Sequence, residues 1–246
     1  MFTFRLDLLD DGLGVAFTDR LDGASTGPFQ SLNLSDGGVD PHERANAETI
    51  RRALDVTRLI AMRQVHGTDV LRVPADAPAE WDLTTARPEL ACADAAVTTA
   101  RQIALCVRVA DCVPVLLADA RAGVIGAAHA GRKGLLAGVL ETTVAAMRDE
   151  GAQEIDAWIG PHICGSCYEV PSEMAADAWR AIPATKAVTS LGTPAIDLGR
   201  GAAAELERLG CRVSVETMCT LEDPTLFSYR GDGVPTGRQA GIVWLR

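Results

Sequence analysis

The chain has 246 residues, 48% of them hydrophobic, which is enough for one substantial core, and no Pro/Gly/Ser-rich linker divides it. Its formal charge of −10 excludes an extended polyanion-binding surface, which needs clustered Lys and Arg, so no nucleic-acid partner is expected. The opening MFTFRLDLLDDG lacks a basic region leading into an apolar stretch, and no uncharged run is long enough to span a bilayer; the expectation is a cytoplasmic protein without a membrane partner.

The first strong helical pattern is PHERANAETIRRAL, with Pro41 at its start and apolar or Ala positions at helical spacing. After it, MRQVHGTDV places His66 behind an apolar stretch and directly before Gly67, where an imidazole can project from a strand end. Four Val- and Ile-rich runs bounded by Gly, Pro or Asp then predict buried strands: AAVTT, IALCVRVADC, VPVLLAD and GVIGAAHAG. Residues 134–151, GLLAGVLETTVAAMRDEG, read as a helix closing on a Gly, as do the similar segments PSEMAADAWRAI and DLGRGAAAELERLG. A polar loop runs from MCTLEDPTLFSYRGDGVPTGR into a final strand. This order predicts an α/β, mixed α+β fold: a single domain over residues 1–246 with a mixed central sheet flanked by helices.

The chain has four histidines, His42, His66, His129 and His162. Cys112, between an Asp and Val-Pro, falls between His66 and His129 in sequence. Two imidazoles and a thiolate suit zinc with a fourth position left open, although the long spacings make this a weak signal, and three packed core residues explain the same pattern. A Cys-His nucleophile pair is a second chemistry for these residues. A blue-copper site with Met62 or Met218 as axial ligand is a third, and four histidines are too few for a full multicopper centre. The turn after His129 carries Arg132 and Lys133 at a helix start, a place where anions bind, while a solvated pair of cations is the plainer alternative. Tyr229, Arg230 and Arg238 lie in the C-terminal loop as ligand-contact candidates. Asp111 is a candidate proton donor or orienting group. The seven cysteines are odd in number in a chain too large to need staples, so reduced thiols are expected; Cys164-x-x-Cys167 has no second C-x-x-C to complete a zinc site.

Taken together, SLNLS with ERANAETI, RQVHG, ADAAVTT leading to VADCVPVLLAD, GVIGAAHAGRKG, WIGPHICGSCYEV and CTLEDPTLFSYRGDGVPTGRQAGI resemble the laccase-domain family. These multicopper polyphenol oxidase-like proteins have been redescribed as zinc-containing purine nucleoside phosphorylases and, for some relatives, as peptidoglycan editing factors. The resemblance implies metal and catalytic roles for His66, Cys112 and His129, and substrate contacts for Asn33, Arg132, Lys133 and Arg230. It implies zinc as cofactor, with copper the alternative, and purine nucleosides with phosphate as partners. The implied reactions are phosphorolysis of adenosine, inosine, guanosine or methylthioadenosine, and deamination of adenosine; a Cys-dependent hydrolase editing peptidoglycan precursors and a copper-dependent polyphenol oxidase are the alternatives. Two motifs depart from the family pattern: HAGWRG reads HAGRKG, and SYRRDG-TGR reads SYRGDGVPTGR, which leaves open which cation meets phosphate.

Overall fold

The computed structural model describes residues 1–8, 12–35, 38, 40–86 and 88–246. Strands gather into two mixed sheets and one short ribbon. The first sheet runs, in spatial order, β1 (Phe2–Leu8), β2 (Leu13–Thr18), β13 (Gln239–Leu245), β6 (Ile103–Val109) and β3 (Arg58–Ala61). The second runs β12 (Arg212–Val215), β9 (Asp156–Ile159), β7 (Val113–Asp119), β8 (Val124–Ala130), β5 (Ala95–Thr98) and β4 (Val70–Arg72). β10 (Lys186–Val188) and β11 (Pro194–Ile196) pair separately. The helices are α1 (Glu43–Leu54), α2 (Arg132–Ala137), α3 (Val139–Asp149), α4 (Ser172–Ala181), α5 (Leu198–Arg208) and the single turn α6 (Tyr229–Asp232).

The fold is mixed α+β, with its strands divided between two stacked sheets rather than held in one central sheet. Side-chain alternation shows how they stack. Along β6, Ile103, Leu105 and Val107 join Leu116, Ala118, Ile125 and Ala127 of β7 and β8 in a core between the sheets. Ala104 and Cys106 of β6 face the other way, onto Ile50 and Leu54 of α1. On the far side, Val113, Val115 and Leu117 of β7 pack under Val144 and Met147 of α3 and Leu206 of α5. Strands with an apolar residue on both faces are what this four-layer order requires, and each fully buried Leu or Ile contributes roughly 1.5–3 kcal/mol.

The expected helix over residues 134–151 is two helices. Gly138, at φ +96°, closes α2 by donating its N–H to Gly134 O and Leu135 O, and α3 starts on its other side. The layer order makes the chain pass between the sheets repeatedly, and two of these crossings come from the parallel pair β3 and β6: residues 62–69, between β3 and β4, and residues 110–112, between β6 and β7. Both lie at one end of the stack.

Candidate functional site

A cleft of about 880 Å³ opens at those crossings. Its floor is built from three elements. The 62–69 crossing brings His66, the 110–112 crossing brings Cys112, and β8 brings His129, whose side chain continues the between-sheet row of Ile125 and Ala127 to the mouth of the stack. The candidate ligand atoms of His66, Cys112 and His129 all lie within 4.8 Å of one another. The two imidazoles meet edge to face, with ring centroids 4.8 Å apart.

Both crossings carry left-handed backbone at non-glycine residues, φ +61° at His66 and φ +88° at Asp111. Such residues persist only where their surroundings over-determine them, and they cluster at functional sites. At His66 the holder is the carboxylate of Asp94, at the start of β5, which is 0% exposed. It accepts the backbone N–H groups of Val65 (3.0 Å), His66 (2.9 Å) and Gly67 (2.6 Å). The same carboxylate lies 2.8 Å from His129 Nδ1, so one buried acid sets the geometry of two of the three side chains. It thereby fixes which nitrogen of His129 is left to face Cys112.

Electrostatics divide the two histidines. For His129, burial alone lowers the pKa, but the hydrogen bonds to Asp94 and Cys112 outweigh it and raise the group to about 9. For Asp94, burial acts upward and is overcome by the His129 and backbone hydrogen bonds, which hold the carboxyl below its ordinary range. His66 is lowered, first by partial burial against the cleft wall and then by the neighbouring charge of His129. A neutral imidazole at His66 is the form that binds a metal.

Glycine makes room for this approach. A Cβ at position 131 would stand 2.3 Å from His66 Nδ1 and 3.2 Å from Cys112 Sγ. Arg132 and Lys133 follow and line the cleft. Because α2 has only six residues, any anion there is met by these side chains more than by a helix dipole. Arg230 lines the opposite wall, with its N–H on Asp111 Oδ2 (2.6 Å), its Nη1 on Glu169 O (2.9 Å) and its guanidinium 5.2 Å over the Tyr168 ring. Asp111 also accepts the hydroxyls of Thr220 and Ser228, each at 2.7 Å, contacts that suit a carboxylate anchoring two loops better than one delivering a proton.

Asn33 is placed differently from the other expected contacts. It is 0% exposed behind the wall, its Nδ2 donating to Ser35 and Asp40 and its Oδ1 accepting from the N–H groups of Ser35 and Arg238, while Ser35 itself reaches the cleft. Met62 is fully buried between the sheets and Met218 borders a separate small pocket, so neither supplies the axial ligand of a blue-copper site. His162 is packed, 2.8 Å from Gly160 O, and borders that second pocket. Asp94, Arg63 and Arg108 are the residues that sequence reasoning passed over. The last two add cations to the cleft, and a lone acid entering the AAVTT strand was the available sign of the first.

The family model described as multi-copper polyphenol oxidoreductase laccase matches residues 14–246, and the chain belongs to this family. Its named relatives are more specific: the chain is 49% identical to a purine nucleoside phosphorylase of Streptomyces griseus, over 94% of this chain and 93% of that one. It is 48% identical to another from Streptomyces coelicolor, over 96% of each. Among solved structures it is similar to YlmD of Geobacillus stearothermophilus, with a TM-score of 0.87 and 28% identity over 96% of this chain and 92% of that one. No helix among the described residues is long and apolar enough to cross a membrane.

Proposed function

We propose that this chain is a zinc-dependent purine nucleoside phosphorylase acting in the cytoplasm on adenosine, inosine, guanosine and methylthioadenosine, with deamination of adenosine as a second activity of the same cleft. The observation that carries the proposal is the convergence of His66, Cys112 and His129 within 4.8 Å beneath a wall of cations. The donor set fits the metal: two imidazoles and one thiolate match borderline-soft zinc, three ligands leave a position open to the cleft, and Asp94 supplies the outer hydrogen bond that metal-bound histidines normally have. Zinc held there would act as a Lewis acid toward the bound substrate.

The remaining roles fall to the chain. In phosphorolysis a phosphate oxygen bonds to the ribose anomeric carbon as the bond to the purine nitrogen breaks, and the departing purine keeps the electron pair and takes a proton. Arg132 and Lys133, with Arg230 opposite, hold the phosphate and offset its charge as it approaches. The cleft volume accommodates a nucleoside and a phosphate together.

A second chemistry has its own support. Asp94, His129 and Cys112 form a hydrogen-bonded series, the order of orienter, base and nucleophile in a thiol hydrolase, which is what editing of a peptidoglycan precursor would use. His66 separates the two. Elemental analysis of untagged protein and of His66→Ala, run beside phosphate-dependent release of hypoxanthine from inosine, is the test. Near-stoichiometric zinc and turnover, both lost in His66→Ala, is the expected result. Muropeptide hydrolysis that survives His66→Ala, without base release by the wild type, would overturn it.

A further inference from the structure

The Cys164-x-x-Cys167 pair lacks a partner in the sequence, and the fold provides one. Cys167 N–H donates to Cys164 O at 3.0 Å, closing a tight turn through Gly165 and Ser166. A second turn follows Cys219, whose carbonyl accepts the N–H groups of Glu222 (3.2 Å) and Asp223 (3.0 Å). A parallel bridge between His162 and Cys219 locks the two turns side by side, with His162 N–H on Met218 O and Thr220 N–H on His162 O. As a result the Sγ atoms of Cys164, Cys167 and Cys219 and a carboxylate oxygen of Glu222 all lie within 4.8 Å of one another. Cys164 N–H already points at Cys219 Sγ at 3.3 Å, and Cys167 Sγ at Glu222 Oε1 at 3.4 Å.

We infer that Cys164, Cys167, Cys219 and Glu222 form a second metal site, closed and structural, that takes zinc. Three thiolates and a carboxylate are the donor types zinc accepts in four-coordinate sites, and a C-x-x-C turn is the local unit from which such sites are built. Ligands at about 2.3 Å from a tetrahedral ion stand about 3.8 Å apart, so the group needs only a slight contraction. Three soft donors also disfavour magnesium and calcium. The ion has a mechanical role: Ile163 and Thr220, each next to a ligand, both hydrogen-bond Asp111, and Tyr168, next to Cys167, lies under Arg230. The staple joins the two loops that hold the far wall of the cleft. This inference does not depend on the reaction catalysed there.

Reduced full-length protein, saturated with zinc and freed of excess by gel filtration, tests it by elemental analysis. Wild type should hold two equivalents, Cys112→Ser one, and Cys112→Ser combined with Cys219→Ser none. Should the buried Cys219 not tolerate replacement, Cys167→Ser and Glu222→Gln on the Cys112→Ser background carry the same test. Alkylation of Cys164, Cys167 and Cys219 in the wild type should slow by at least ~10-fold on zinc loading, because bound thiolates are poor nucleophiles. Cobalt in place of zinc should give thiolate charge-transfer absorption in Cys112→Ser that vanishes with Cys167→Ser. A single equivalent lost wholly with Cys112→Ser, alkylation indifferent to zinc, or a disulfide among these three cysteines in protein purified with zinc would each overturn the inference.

Discussion

Two groups of potential ligands, built from similar atoms, are linked through Asp111, which precedes Cys112 and hydrogen-bonds Thr220 and Ile163, and they differ in how they are held. His66, Cys112 and His129 come from two sheet crossings and a strand end, mix nitrogen with sulfur, and face a cleft lined with cations. Cys164, Cys167, Cys219 and Glu222 come from two tight turns and are rich in sulfur, and Cys164 borders the smaller pocket of about 210 Å³. Three ligands around an open space leave room for a reactant, whereas four around a point leave none. If both groups hold zinc as proposed, donor number and access, more than donor type, would separate a site for chemistry from one that holds the fold.

Several variants break or sharpen this contrast. The largest effect is expected from Cys112→Ser, which removes the thiolate from the open site. Zinc there and phosphorolysis should fall together, by more than the ~10–100-fold that losing an outer partner of a ligand costs. Zinc at the turn cluster should stay. Asp94→Asn comes next: one carboxylate oxygen becomes an NH2 donor, so either His129 and the His66 N–H or the N–H groups of Val65 and Gly67 lose their acceptor, and metal affinity at the open site should drop ~10–100-fold, measured by chelator competition. Unchanged affinity would show that the crossing is rigid without that carboxylate.

Gly131→Ala tests the close approach directly. Its Cβ would press on His66 Nδ1 at 2.3 Å, and an affinity loss of about tenfold is expected. Lys133→Ala should raise the KM for phosphate by ~10-fold with a smaller change in kcat, the scale of one charge-assisted hydrogen bond at a wet cleft. A change confined to kcat would remove Lys133 from phosphate binding.

The smallest effect is in pH dependence. His129 is raised in the folded state to about 9, above the unfolded imidazole, so in metal-free protein its contribution to stability is fully present below about pH 6.5 and lost as the pH rises through about 9. Urea midpoints of stripped protein should therefore fall across that window, and Asp94→Asn should flatten the fall. Metal binding has the opposite sign, because the proton must leave His129: zinc affinity at the open site should rise with pH up to about 9. A flat profile would mean that metal and proton do not compete for this imidazole.

Much of the fold was legible because apolar runs and caps are local signals. α1, α4 and α5 fall where helical spacing placed them, and β5 to β8 fall on the Val- and Ile-rich runs. Gly138 divided one predicted helix because a left-handed glycine closes a helix wherever it falls, and the apolar spacing continued undisturbed on either side. The division into two sheets was not legible: β6 and β7 are apolar on both faces, and such a strand reads the same in either sheet.

At the cleft, the sequence by itself determined the inventory: the imidazoles and thiols, the glycine beside His66, and the cations after His129. Tertiary structure decided which of them meet. His66 and Cys112 are 46 positions apart and converge only because both crossings lie at the same end of the stack. Asp94 became the anchor of two site histidines, and Cys219 and Glu222 joined a C-x-x-C that lacked partners, for the same reason. Periodicity and capping are recorded in neighbouring residues, whereas the proximity of distant side chains is set by sheet order, which is fixed only once the whole core has packed.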